Sequence, residues 1–190
     1  TESGEHINRI KGFTRILLNQ MNKKHNLGYT HAQIEIISNA ATLHDIGKIA
    51  ISDSILLKNG KLTPEEYEQM KLHTVKGCDI LQKMTKKKKK SYFKYSYEIC
   101  RHHHERYDGK GYPDGLVGDQ IPLEAQIVSV ADVFDALTSV RCYKPAYSCE
   151  KALQMIIDGE CGVFSDKILQ SLNEVKESFF EYVNKSIHIE

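Results

Sequence analysis

The sequence predicts an all-α fold, a bundle of about seven helices with one loop-rich segment. Apolar residues recur at three- and four-residue spacing nearly throughout the 190 residues. The Val/Ile/Thr alternation that marks strands is scarce, so no real sheet is expected. Glycine and proline crowd into Asp108 to Pro122, which reads as a loop.

Each helix has its own signature. Ile7, Ile10, Phe13, Ile16 and Leu17 form the apolar face of the first, which ends before Asn26-Leu27-Gly28. Thr30 with Gln33 is a capping box for a second, closing near Gly47. Thr63-Pro64-Glu65-Glu66 supplies a cap, Pro at N1 and Glu at N3. The third helix begins there, carries Tyr67, Met70, Lys71 and His73, and runs through Leu81. Beyond Lys86 to Lys90, a solvated loop, a fourth spans about Ser91 to His104. Pro122 opens an apolar fifth, Leu123 to about Val140. Ser148 and Ser165 cap the last two, the first of them stopped by Gly159.

Composition bounds the function. The length fits one domain over residues 1–190. Its first residue is Thr1, directly ahead of a candidate functional histidine, so excision from a longer protein with an N-terminal sensor or receiver region is expected. A net charge of +1 names no partner, and no polymeric nucleic acid is expected. The five lysines Lys86 to Lys90 are a local excess, and the rest of the chain is net acidic. No apolar run reaches the roughly 18 residues of a membrane helix, and no signal peptide is visible. Membrane contact by this segment is not expected, although the full-length protein could be tethered through a missing N-terminal region. Five cysteines without CxxC spacing fit reduced thiols in the cytoplasm, not a zinc knuckle.

The chemistry sits in a few polar residues at awkward places. His44 and Asp45 are adjacent in Leu43-His44-Asp45-Ile46-Gly47-Lys48, and His103 and His104 are adjacent ahead of Glu105. Burying such doublets without a shared cation is costly. Neighbouring residues on a helix diverge by about 100°. A doublet therefore serves one ion poorly but can serve two ions side by side, with Asp45 bridging them. Glu2 and His6 share a helix face, His73 is mid-helix, and Asp132 interrupts the apolar run Ile127 to Phe134. Singly, each has an ordinary reading as a surface or packing residue. Together they point to two divalent metals and phosphoester hydrolysis.

With these residues in view, the chain resembles the HD-GYP family, a bacterial branch of the HD phosphohydrolase superfamily. The likeness runs from Glu2 to about Leu172. It rests on Gly4-Glu5-His6 with Arg9, His44-Asp45-Ile46-Gly47-Lys48, Met70-Lys71-Leu72-His73, His103-His104-Glu105 through Gly111-Tyr112-Pro113, Asp132-Val133-Phe134-Asp135-Ala136-Leu137-Thr138, and Arg141 to Lys144. The resemblance implies an HD-domain bundle with a GYP loop. It also implies hydrolysis of cyclic di-GMP to pGpG or onward to GMP, through attack by a hydroxide bridging two metals. The family's metal ligands fall on His6, His44, Asp45, His73, His103, His104 and Asp132. Glu2 matches a glutamate that holds a third ion in some members. The triplet His102-His103-His104 leaves the register of the doublet open, and the distance to Gly111-Tyr112-Pro113 favours the last two.

The same resemblance assigns Lys48, beside the catalytic Asp45, to the scissile phosphate, and Arg141 and Lys144 to the substrate's phosphates. Tyr112 is presented by a loop in which Gly109 and Gly111 take unusual backbone angles and Pro113 stiffens the turn; that loop borders the active site and is linked to GGDEF-domain partners. Imidazole and carboxylate donors suit iron first and manganese second, with zinc or nickel compatible. Other readings are a phosphodiesterase for 3′,3′-cyclic GMP-AMP and a weakly active module that docks GGDEF partners; a homodimer is also left open. The Lys86 to Lys90 run has a minor reading as a steering patch for an anionic dinucleotide.

Overall fold

The computed structural model describes residues 4–84, 90–140 and 145–187. Its helices are α1 (Gly4–His25), α2 (His31–Ala40), α3 (Asp53–Leu56), α4 (Pro64–Lys71), α5 (His73–Met84), α6 (Lys90–His102), α7 (Leu123–Thr138), α8 (Cys149–Ile157), α9 (Asp166–Glu174) and α10 (Lys176–Ile187). Short 3-10 turns occupy Ala41–Leu43, Ile46–Ala50 and Gly118–Gln120. Among the described residues the sole β feature is an isolated bridge between Asp108 and Val117. The fold is all-α, and no described helix is long and apolar enough to cross a membrane.

The core is built around α1 and α7. Ile10, Phe13 and Leu17 of α1 pack with Ile127, Ala131 and Phe134 of α7 and Phe179 of α10, all fully buried. Phe13 stacks on Phe179 at 4.6 Å and meets Phe134 edge-on at 5.4 Å. Every residue of α7 from Glu124 to Ala131 is buried, the polar Glu124, Gln126 and Ser129 included. A smaller cluster of Cys78, Leu81, Phe93 and Cys100 ties α5 to α6, so the start of α5 and the end of α6 lie together. Cys78, Cys100 and Cys149 are free thiols.

The caps form as expected. Thr30 and Gln33 bond reciprocally at 3.2 and 2.9 Å, and Thr63 and Glu66 do so at 3.2 and 2.7 Å. Ser148 and Ser165 accept from Lys151 and Ile168.

The described residues form ten helices, not about seven, and several elements differ from the sequence reading: α3 is unannounced, and Lys90 belongs to α6 and not to the loop before it. The second helix does not reach Gly47: it stops at Ala40 and continues through the two 3-10 turns. There the Thr42 hydroxyl donates to Asn39 O at 2.7 Å and His44 Nδ1 lies 2.9 Å from Ala41 O, so side chains compete for the carbonyls. The third helix breaks at Leu72, making His73 the first residue of α5 instead of a mid-helix position. Here too His73 Nδ1 lies 2.8 Å from Met70 O, and Thr74 donates to Lys71 O at 3.0 Å. Finally, α10 covers α1 through Phe179 and Val183, although no capping residue announces it.

Glycine sets two close approaches. A Cβ on Gly47 would lie 1.8 Å from the His73 carbonyl oxygen and 2.5 Å from Gly77 N, so only glycine lets the 46–50 turn press against α5. Gly109 has φ +78°, as expected of this loop, but Gly111 is not left-handed. Its missing Cβ makes room for the backbone of Glu105 and Arg106, 2.3 to 2.5 Å from where that atom would stand.

Because the Gly47 obstacle is backbone, Gly47→Ala should destabilise the protein by about 1–3 kcal/mol, the cost of an overpacked interior. Urea unfolding would measure this. A loss under about 0.5 kcal/mol would mean that the turn is not pinned by this contact.

Candidate metal centre

The pinned turn brings Asp45 to the start of α5. Asp45 itself has φ −105° and ψ 15°, in the sparsely allowed region between helix and strand. His6 comes from the first turns of α1, and His44 and Asp45 lie between the two 3-10 turns. His73 starts α5, His103 and His104 follow the end of α6, and Asp132 lies within α7. These five imidazoles and two carboxylates converge in two groups. Asp45, His73, His103 and His104 form one and His6, His44 and Asp132 the other, with ligand atoms in each within 4.8 Å of one another.

Asp45 joins the groups. Its Oδ1 lies 3.0 Å from His73 Nε2 and 3.5 Å from His103 Nε2, whereas Oδ2 lies 3.2 Å from His44 Nε2 and 2.5 Å from Lys48 Nζ. One oxygen therefore faces each group, as a bridging carboxylate requires.

The imidazoles are held from behind. Nδ1 of His44 and of His73 each meets one peptide carbonyl, and Nδ1 of His103 lies 3.1 and 3.0 Å from the carbonyls of Ile99 and Cys100. A carbonyl only accepts, so each Nδ1 carries the hydrogen and each Nε2 presents its lone pair inward. His73 Nε2 and His103 Nε2 are 3.5 Å apart. Two lone pairs and a carboxylate oxygen facing one another repel unless a cation lies among them. Burial draws the His103 imidazole below its ordinary range, and draws His104 well below it with added repulsion from His103 and His73, so both stay neutral. Hard oxygen and imidazole donors, deprotonated and preoriented, fit divalent metal ions.

His102 stands apart from both groups. Its Nδ1 lies 3.5 Å from Asp114 Oδ2 and 4.0 Å from Glu105 Oε1. Those carboxylates already have partners: Glu105 accepts from the backbone of Asp114 and Leu116 at 2.7 and 3.0 Å, and Asp114 pairs with both arms of Arg101. This third cluster is a brace for the 108–122 loop. It carries Tyr112 to His104, where the rings stack at 4.8 Å. Burial, then Tyr67, pushes the Tyr112 phenol up, so it stays protonated.

The centre opens into a cleft of about 1450 Å³ lined by His6, Asp45, His73, His104 and Asp132, with Lys48, Tyr112 and the exposed side chain of Ile49. Glu2, Arg141 and Lys144 lie outside the described residues, as do Lys86 to Lys89. Two residues given no role by sequence are central here. Asp135 lies 2.7 Å from His6 Nδ1 through Oδ2 and pairs with Arg9 through Oδ1. The signal was present: His6 and Arg9, like Asp132 and Asp135, are three residues apart and share a helix face.

Residues 6–161 match the HD domain family. The chain is 47% identical over 146 residues to a cyclic di-GMP phosphodiesterase response regulator of Xanthomonas campestris, covering 77% of this chain and 38% of that protein. It is 39% identical over 181 residues to a cyclic di-GMP phosphodiesterase of Vibrio cholerae, covering 94% and 37%. A 3′3′-cGAMP-specific phosphodiesterase of Vibrio cholerae is 36% identical over 178 residues, covering 94% and 32%. The chain thus spans well under half the length of these relatives. Among solved structures, a cyclic GMP-AMP-specific phosphodiesterase from Vibrio cholerae superposes with a TM-score of 0.60 at 14% identity, over 97% of this chain and 52% of that one. That likeness concerns the fold alone.

The neutral imidazoles of buried His103 and half-buried His104 give a pH dependence. His103 and His104 have folded pKa values below the unfolded histidine value, so below about pH 6.5 the unfolded chain takes up protons that the folded one refuses. Stability is full above that pH and falls as the pH drops below it, by up to about 1.4 kcal/mol per pH unit for each group. Chelator-treated protein should therefore melt at a steady temperature from pH 7.5 to about pH 6.5 and at progressively lower temperature below that. A flat profile would contradict these two rings standing as neutral bases in the folded protein.

Proposed function

The chain belongs to the HD domain family, in its HD-GYP branch, and on that premise we propose that it is the catalytic part of a metal-dependent phosphodiesterase for cyclic di-GMP. The observation that carries this reading is the pair of ligand groups joined by the two oxygens of Asp45. His73, His103 and His104 with Asp45 Oδ1 would hold one ion, and His6, His44 and Asp132 with Asp45 Oδ2 the other. When bound, such ions supply Lewis acidity toward a phosphoryl group and make water nucleophilic near neutral pH. The donor set supports iron first and manganese second, with zinc or nickel compatible.

The remaining residues handle the substrate. Lys48, partly exposed beside Asp45, can place its ammonium on a non-bridging oxygen of the scissile phosphate as charge accumulates there. Tyr112 walls the cleft on the His104 side with a protonated hydroxyl that can donate to phosphate. Arg141 and Lys144 are assigned to the substrate's phosphates, where a guanidinium fork suits two oxygens. Where a third ion binds, Glu2 is assigned to it, and hydrolysis would then proceed beyond pGpG to GMP. A GGDEF-domain partner would meet the exposed side of the 108–122 loop, where Asp108, Lys110 and Asp114 face solvent. The free thiols of Cys78, Cys100 and Cys149 support a reducing, cytoplasmic setting.

A second reading is hydrolysis of 3′,3′-cyclic GMP-AMP. It is supported by 36% identity, over 94% of this chain, to a relative with that named specificity. The ligand groups are indifferent to the bases, so base choice rests on the cleft walls.

Chromatography of products from the metal-loaded protein should show cyclic di-GMP converted to pGpG. Cleavage of cyclic GMP-AMP alone would select the second reading, and metal-loaded protein that cleaves neither would defeat both. Lys48→Ala should retain its metal yet lower kcat by about 10²-fold, the usual loss on removing a group that meets transition-state charge. An unchanged kcat would remove Lys48 from the reaction.

A further inference from the structure

The inward-facing imidazoles are not held alike. His44, His73 and His103 meet peptide carbonyls, neutral acceptors, through Nδ1. His6 instead meets a carboxylate, Asp135 Oδ2, at 2.7 Å. Asp135 is 1% exposed, so its charge needs a partner, and Arg9 supplies one. The guanidinium approaches Oδ1 through Nε and Oδ2 through Nη2 at 3.3 Å, and Nη2 also donates to Ser139 Oγ at 3.0 Å. Arg9 lies one turn beyond His6 on α1, while Asp135 lies one turn beyond Asp132 on α7. The pairing therefore fixes the register of the two helices that carry His6 and Asp132.

A carboxylate behind an imidazole does more than orient it. The ring becomes a stronger donor at Nε2, because negative charge at Nδ1–H raises the basicity of the far nitrogen. Only one of the two ligand groups contains His6. Its other members are His44, held by a carbonyl, and Asp132, whose side chain is 23% exposed. The group of Asp45, His73, His103 and His104 lies elsewhere along the same cluster and does not use Asp135.

We propose that Asp135, locked by Arg9, is the positioning residue that secures the ion on the His6 side and leaves the ion on the His103 side untouched. The two ions would then differ in affinity for a reason located in one buried charge pair. This rests on the two-ion reading above. A purely structural role for the pair would also lower the melting temperature of the metal-free variant, because the pairing fixes the α1–α7 register, so that measurement separates the two roles.

The test is metal retention by Asp135→Asn, an isosteric change that removes the charge. Protein loaded with manganese and dialysed should keep about two ions per chain in the wild type and about one in the variant. The affinity for the lost ion should fall by about 10–100-fold, the usual effect of removing a partner behind a ligand. Electron paramagnetic resonance should show an exchange-coupled manganese pair in the wild type and an isolated ion in the variant. Two ions retained with unchanged affinity, or both lost together, would overturn the proposal. Should Asp135→Asn fail to fold, Arg9→Lys keeps a positive charge without the fork. It should weaken only the second ion, and unchanged retention there would also overturn it. Wild-type protein holding fewer than two ions would defeat the two-ion reading itself, whereas a wild type with two ions and an unaffected Asp135→Asn would defeat this inference alone.

Discussion

The structure depends on one electrostatic constraint: bare imidazole nitrogens and carboxylate oxygens are turned toward each other in a buried space. His73 Nε2 and His103 Nε2 stand 3.5 Å apart, and both face Asp45 Oδ1. Each ring is held in this posture from behind, by a main-chain carbonyl at the end of a helix or turn. The carbonyls are available because the helices stop there. Side-chain capture at Met70, Lys71 and Ala41 is therefore part of the same device that breaks the long helices and aims the ligands. The arrangement is repulsive by itself, and divalent cations convert it into an attraction.

The rest of the fold serves to hold these ends together. Five separated stretches of chain must arrive within one cluster, and no local interaction can ensure that. The α1–α7 core places His6 against Asp132, the cysteine-rich cluster places α5 against the end of α6, and Gly47 lets the Asp45 turn approach His73. On the open side the walls are mixed in character. Lys48 and Tyr112 are polar groups at the cleft, whereas Ile49 stands 73% exposed beside them, an apolar face next to a charged floor.

Much of this was legible in the sequence, for identifiable reasons. The fold class followed from helical periodicity, and four helix starts followed from Thr30, Thr63, Ser148 and Ser165, whose side chains make local bonds. The residues singled out at the centre and covered by the structure, His6, His44, Asp45, His73, His103, His104 and Asp132, are brought together because polar side chains in apolar stretches mark themselves. What escaped depends on through-space partners. The break at Leu72 comes from side chains taking carbonyls, which periodicity does not register. Gly111 was expected to need an unusual backbone angle, but its reason is the neighbouring backbone of Glu105. Asp135 and Arg9 lie 126 residues apart, and neither suggests the other until α1 and α7 are packed. The C-terminal α10 has no cap to announce it and is held by burial of Phe179.

The central claim, that Asp45 divides its two oxygens between two ions, is tested most directly by anomalous diffraction from crystals grown with iron or manganese. The account predicts two anomalous peaks, one among His73, His103 and His104 and one among His6, His44 and Asp132, with an Asp45 oxygen on each. A single peak, or peaks that leave Asp45 uncoordinated, would contradict it.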